Sequence, residues 1–146
     1  MAKARIERAQ AFTAIRGAEV LGTRAASEIE YLQLVEKGLP PAAIERLQKA
    51  ASLSEAEMDE IIPRRTRNRQ RLRARLSREQ SDRIARAADI YVLAYEVFGD
   101  REKANGWMGD PNPALQGETP LSLLGTAMGA KLVEDVLLRI AHGVYT

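Results

Sequence analysis

The apolar residues of this chain recur at intervals of three and four positions and seldom alternate, which is the spacing of one face of an α-helix. The longest run follows a capping pattern of Ser77 and Gln80 and ends before Gly99. Its apolar members are Ile84, Ala87, Tyr91, Tyr95 and Phe98. The sequence therefore predicts an all-α protein whose spine is one helix of roughly 20 residues.

Shorter helices precede the spine, separated by glycine and proline. The first carries an apolar stripe that includes Ile6, Phe12 and Ile15. A second, capped by Ser27, carries Ile29, Leu32 and Val35. A third follows Pro41, and a fourth is predicted from Ser54 to Ile62 because Ser54 and Glu57 repeat the capping pattern.

Beyond Gly99 the pattern predicts a short helix with the single tryptophan, a loop rich in proline and glycine, and a last helix that ends at Gly143. A buried tryptophan is either a core residue or an interface anchor. We predict that Trp107 belongs to the core, under the Pro-Asn-Pro loop.

The segment PRRTRNRQRLRARLSR, from Pro63 to Arg78, holds eight arginines and no acid. Removing those charges from the formal net charge of +2 leaves −6, so a basic element stands on a mildly acidic body. A helix that is merely solvated usually alternates the sign of its charges. The segment therefore favours a polyanionic partner, although an acidic protein partner and a plain solvated surface remain open.

Two short helices joined by a tight turn, the second of them basic, form the pattern of a helix-turn-helix that reads the major groove. Side chains in the first turns of the second helix reach base edges, and later arginines meet phosphates. The predicted DNA-binding residues are Arg64, Arg65, Thr66, Asn68, Arg69 and Arg71, with Arg73 and Arg75 as further phosphate contacts.

Several function classes are disfavoured by composition. The chain has no cysteine and one histidine, so the usual zinc ligand sets are missing and neither a metal nor another cofactor is predicted. Adjacent acids such as Glu134 and Asp135 point to different faces of a helix, so no catalytic residue is predicted and the protein is not expected to be an enzyme. Charges near the N-terminus and the lack of a long apolar run predict a cytoplasmic protein without a membrane segment.

The residues after Val97 carry a more specific pattern. It consists of Ala104 and Trp107 on a short helix, the loop PNPALQG, the helix start TPL, Gly129, and Arg139 with Ile140 and Gly143. In this order these pieces resemble the toxin-binding domain of Xre/MbcA/ParS antitoxins. Upstream, GLPPAAIERL, the IPRRT turn and the helix from LSREQ to VFGD resemble the Xre-type DNA-binding half, with Ile61 where a turn glycine is common and Arg67 where a buried leucine is common.

The resemblance implies an antitoxin of a type II toxin-antitoxin system whose partner is a RES-type toxin that degrades NAD. The end of the antitoxin is expected to block the toxin's active site, while its N-terminal half binds promoter DNA. The predicted toxin-binding residues are Arg139, His142, Gly143, Val144, Tyr145 and Thr146. Arg139 and His142 can face toxin acids, and Gly143 lets the tail leave the helix in a left-handed turn.

The predicted organisation is a helix-turn-helix half at residues 1–76, a connecting helix at 77–99 and a toxin-binding half at 100–146. The first helix is the candidate for homodimer contact, because palindromic operators call for a two-fold protein. Two alternatives remain open: a toxin-binding interaction module that does not bind DNA, and a plain helix-turn-helix transcriptional regulator.

Overall fold

A computed structural model describes residues 15–143 of the chain. Residues 15–20 are helical and are called α1. The helices that follow are α2 (Glu28–Lys37), α3 (Ala43–Ala50), α4 (Glu55–Met58), α5 (Arg64–Arg71), α6 (Arg78–Phe98), α7 (Arg101–Gly109) and α8 (Ala127–Ala141). Two 3₁₀ turns, Pro113–Leu115 and Leu121–Leu123, lie between α7 and α8. The all-α prediction is confirmed, since the described part of the chain holds helices and no strand.

The predicted spine is α6. Residues 90–95 of this helix are buried without interruption, so it is enclosed on more than one face. It packs against α2 and α3 from the upstream part of the chain and against α7 and α8 from the downstream part. Among residues 15–143, no helix combines the length and the apolar content that crossing a bilayer requires.

Serine caps fix the starts of three helices, as predicted. Ser27, Ser54 and Ser77 each accept a hydrogen bond from the backbone N–H three residues later, at 3.1–3.2 Å. At α4 the capping box is complete, because the N–H of Ser54 also donates to Oε1 of Glu57 at 3.0 Å. These caps satisfy backbone donors that a helix start otherwise leaves without partners.

The extent predicted for one helix is wrong. The fourth helix does not reach Ile62: α4 ends at Met58, and the chain passes through turns before α5. On α2, Tyr31 and Val35 face the core, whereas Ile29 and Leu32 are 63% and 52% exposed. The buried stripe of α2 is set by the tyrosine that meets α6, which apolar spacing alone did not reveal.

A partly buried acid, Asp89, lies where α1 and α2 meet α6. A Cβ atom at Gly17 of α1 would overlap the carboxylate of Asp89 on α6 and lie 3.3 Å from the hydroxyl of Tyr31 on α2. Burial, followed by the negative charges of Glu134, Glu28 and Asp82, raises the pKa of Asp89 to about 8. The raised pKa favours the neutral form of Asp89, which lowers the cost of partly enclosing it.

Asn105 of α7, together with Tyr95 of α6, contacts the end of α3, and Gly125 approaches the turn after α4. The hydroxyl of Tyr95 and the Nδ2 of Asn105 both donate to the carbonyl of Ala50, at 3.0 and 3.3 Å, and so satisfy the end of α3. A Cβ atom at Gly125 would lie 2.8 Å from the carbonyl oxygen of Glu60, in the turn between α4 and α5. The segment that leads into α8 is thus seated against the turn of the candidate helix-turn-helix.

The start of α8 has no room for a side chain at Gly129. A Cβ atom there would overlap the carbonyl of Leu123, whereas one at Gly106 of α7 would meet no atom within 4 Å. We expect Gly129→Ala to destabilise the protein by about 1–3 kcal/mol through overpacking. The matched variant Gly106→Ala should stabilise it by about 0.4–1 kcal/mol, because the unfolded chain loses freedom. Urea unfolding of both variants measures the two effects, and equal effects would contradict the packing described.

Candidate DNA interface and toxin-binding half

The segment from α4 to α5 forms a compact helix-turn-helix. Met58, Ile61 and Ile62 are fully buried beneath the turn. Ile61, which departs from the glycine common in the resembling family, therefore serves as a core residue. Pro63 precedes α5 with extended backbone and supplies no N–H, which suits the first residues of a helix.

Arg67 has a structural role in this segment that the sequence did not indicate. Its side chain is fully buried. Its Nη1 donates to the carbonyl of Ile62 at 2.6 Å and to Oδ1 of Asp59 at 2.7 Å. Its Nη2 donates to Oε2 and to the carbonyl of Glu55, at 3.1 and 3.3 Å. One guanidinium thus ties α5 to α4 and to the turn between them.

Arg67 also neutralises acids that lie beside the basic face. Hydrogen bonds from Gln48 and then from Arg67 lower the pKa of Glu55. Asp59 is held in an ion pair with the same guanidinium. The family resemblance carried a signal for the burial of Arg67, because a buried leucine is common at this position.

The predicted DNA-binding residues lie on both sides of α5. Arg64, Arg65, Asn68 and Arg69 are exposed, and Thr66 is partly buried. None of the three exposed arginines forms an ion pair with a described residue. Arg71 is partly buried and differs, because its Nε contacts Oε1 of Glu45 at 2.6 Å and its Nη1 contacts Oδ1 of Asn68 at 3.2 Å.

The end of the arginine segment is hydrogen-bonded to backbone carbonyls of the segment that follows α2. Because α5 ends at Arg71, Arg73 and Arg75 lie in the turn that follows and not on the helix as predicted. The N–H of Leu76 donates to the carbonyl of Leu39 at 2.8 Å, and Arg75 donates to the carbonyl of Gly38 at 3.1 Å. These bonds fix where the chain leaves α5 and enters α6.

The downstream half consists of α7, α8 and a loop between them that is closed by its own hydrogen bonds. Asn112 accepts hydrogen bonds from Ala114 through its side chain, at 2.9 Å, and from Gly117 through its carbonyl, also at 2.9 Å. The ring of Trp107 is partly buried and packs against that of Phe98, with centroids 5.4 Å apart. The tryptophan therefore packs against the core, as predicted, although it is not fully enclosed, and its placement under the Pro-Asn-Pro loop stays a prediction.

The predicted toxin-binding residues follow one another at the end of α8. Arg139 and His142 are exposed, and His142 follows the last helical residue. Gly143 adopts the expected left-handed conformation, with a φ of 69°. Val144, Tyr145 and Thr146 lie outside the described residues.

Known proteins share both halves. Residues 30–89 match the family described as the antitoxin Xre-like helix-turn-helix domain, and residues 93–143 match the antitoxin Xre/MbcA/ParS C-terminal toxin-binding domain. A protein of Pseudomonas putida named Antitoxin Xre is 36% identical over 81% of this chain and 75% of its own length. The chain belongs to the Xre family of antitoxins.

Other relatives of this antitoxin agree with that assignment. A Yersinia enterocolitica protein, also named Antitoxin Xre, is 33% identical over 86% of this chain and 88% of its own length. A Sphingobium protein named Prs ADP-ribosylating antitoxin is 24% identical over 82% of this chain and 83% of its own length. These relatives are named as antitoxins, and the matched toxin-binding domain implies a toxin partner. Within residues 15–143, no three His, Asp or Glu side chains gather as metal ligands would.

Two arginines of α5 in the antitoxin offer a matched comparison of buried and exposed charge. Arg67→Ala should lower the free energy of unfolding by about 2–4 kcal/mol, because Asp59, Glu55 and the Ile62 carbonyl lose a buried donor. Arg69→Ala should change it by less than about 0.5 kcal/mol, since that side chain is exposed. Chemical unfolding followed by circular dichroism measures both values, and a small effect at Arg67 would show that its contacts are not needed for the fold.

Proposed function

We propose that this antitoxin neutralises a RES-type toxin that degrades NAD, by blocking the toxin's active site, and that it binds its own promoter through α5. The observation that carries the proposal is the presence, in one body, of a matched toxin-binding half and a helix-turn-helix with an outward arginine face. We further propose that the protein acts in the cytoplasm as a homodimer within the toxin complex.

Support for an NAD-consuming toxin comes from two sources. The motifs after Val97 resemble antitoxins that pair with RES toxins. The Sphingobium relative is named for Prs ADP-ribosylation, and ADP-ribosyl groups are taken from NAD. Both fit a toxin that binds this dinucleotide.

Support for blocking of the active site comes from the geometry at the end of α8. The left-handed turn at Gly143 redirects the chain from the helix axis immediately before Val144. Arg139 and His142 then flank the departure point and are free to meet acids of the toxin.

Support for DNA binding comes from the charge of α5. Arg64, Arg65 and Arg69 project outward, and the helix start adds partial positive charge to the same end. Glu55 and Asp59, which would repel phosphates, are held by Arg67. The functional division we propose is residues 1–76 for DNA binding and dimerisation, 77–99 as the connecting helix and 100–146 for toxin binding. The proposed dimer contact is the stripe of Ile6, Phe12 and Ile15, of which Ile6 and Phe12 lie outside the described residues and Ile15 is partly buried in α1.

Co-expression with the product of the adjacent gene tests the toxin role. We expect that product alone to stop growth and deplete cellular NAD, and the antitoxin to restore both. Deletion of residues 144–146 should abolish the rescue, because the blocking segment is lost. If the neighbour is harmless, or if NAD stays constant while growth stops, the NAD-degrading assignment is wrong.

Promoter titration tests the DNA role. Replacing Arg64 and Arg65 with alanine should weaken binding by about tenfold or more and reduce the slope of log affinity against log salt by about 2. The control variant replaces Arg24 and Lys103, which removes the same charge away from α5 and should have little effect. Equal losses in both variants would indicate a general charge effect, and no promoter binding by the unaltered protein would leave a toxin-binding module as the function.

A further inference from the structure

Helix α8 has one buried face and one exposed face of distinct composition. Its buried residues, which pack toward α6, are Gly129, Ala130, Val133, Val136 and Leu137. The opposite face repeats every three or four positions, which places its members in a single stripe along the helix. These members, called here the α8 stripe, are Met128, Leu132, Asp135, Arg139 and His142.

The first turns of the α8 stripe are apolar and exposed. Met128 is 78% and Leu132 is 48% exposed, and within the described residues of the toxin-binding half these are the large apolar side chains left in water. Trp107 and Phe98, which are larger, pack instead against each other and the core. Exposed apolar side chains that adjoin one another mark interaction surfaces more often than solitary ones do.

The remainder of the α8 stripe is charged. Lys131 and Asp135 form an ion pair of 3.2 Å along its edge. Arg139 forms no ion pair with a described residue, and it lies one turn before Gly143, where the tail departs. Exposed apolar side chains beside charged ones, with an arginine that has no ion-pair partner among the described residues, are features that protein interfaces combine.

We propose that the α8 stripe is the docking surface for the toxin, which supplies an apolar groove for Met128 and Leu132 and a carboxylate opposite Arg139. The occupant is identified by the stripe's position, since it lies in the matched toxin-binding domain and continues into the proposed blocking tail. The inference rests on the proposed function and assigns the two parts separate tasks. The stripe supplies most of the affinity, and residues 144–146 supply the inhibition.

Capture of the toxin by the full-length antitoxin tests this surface. The tagged antitoxin is co-expressed with the adjacent gene product, and the toxin retained after washing is measured. Leu132→Asp, and independently Met128→Asp, should reduce the retained toxin at least about tenfold, because a charge is forced into an apolar groove. Ile29→Asp is the matched control, since it places the same charge at an exposed apolar position of α2, and it should retain the toxin fully.

The division of tasks gives a second measurement on the same preparations. The protein without residues 144–146 should still retain the toxin while failing to restore growth. Thermal unfolding of every variant shows whether a loss of capture reflects a loss of folding, and the milder Leu132→Gln replaces any variant that unfolds.

Each outcome is distinguishable. If the unaltered antitoxin retains no toxin, the proposed function fails and not the surface alone. If it retains toxin and Leu132→Asp does so equally, the α8 stripe is not the docking surface. If the Leu132→Asp protein keeps the toxin but its own oligomeric mass changes, the stripe is a contact with a second antitoxin copy. If deletion of residues 144–146 abolishes capture, the affinity comes from those residues and not from the stripe. Both results overturn the proposal.

Discussion

The burial of α6 is the constraint on which the rest of the structure depends. A helix that is enclosed along residues 90–95 cannot belong to one half alone. Helices α2 and α3 cover one part of its surface, and α7 and α8 cover another. Each half therefore completes its core only in the presence of the same helix, and the orientation of the arginine face relative to the toxin-binding half is set by packing and not by a flexible linker.

Arginine has two physical roles in this protein, and they are separated by a single helical turn. Arg67 is enclosed, with four acceptors around its guanidinium, where its planar fork can satisfy several groups at once. Arg64, Arg65 and Arg69 remain in solvent with their charge available. The density of arginine in α5 thus overstates the charge presented to a partner, since Arg67 and Arg71 are already engaged with acids of the body.

The starts of the helices could be predicted from the sequence because each start depends on residues only a few positions apart. The caps at Ser27, Ser54 and Ser77 need only residues three positions away, and the left-handed turn at Gly143 needs only a missing Cβ atom. The burial of Arg67 depends on acceptors up to twelve residues distant, and the exposure of Ile29 and Leu132 depends on which neighbours cover each helix. Apolar spacing gives the phase of a helix, but tertiary contacts decide which apolar residues lie inside, so the candidate surface on α8 emerges only from the packed structure.

The close approach of Gly125 to the carbonyl of Glu60 limits how the two halves of this chain can be engineered separately. A toxin-binding half taken from another lineage would have to present a residue without a side chain at this point, or the turn between α4 and α5 would have to move. A hybrid that grafts another toxin-binding half onto this helix-turn-helix half therefore needs a glycine at this junction or a redesigned turn.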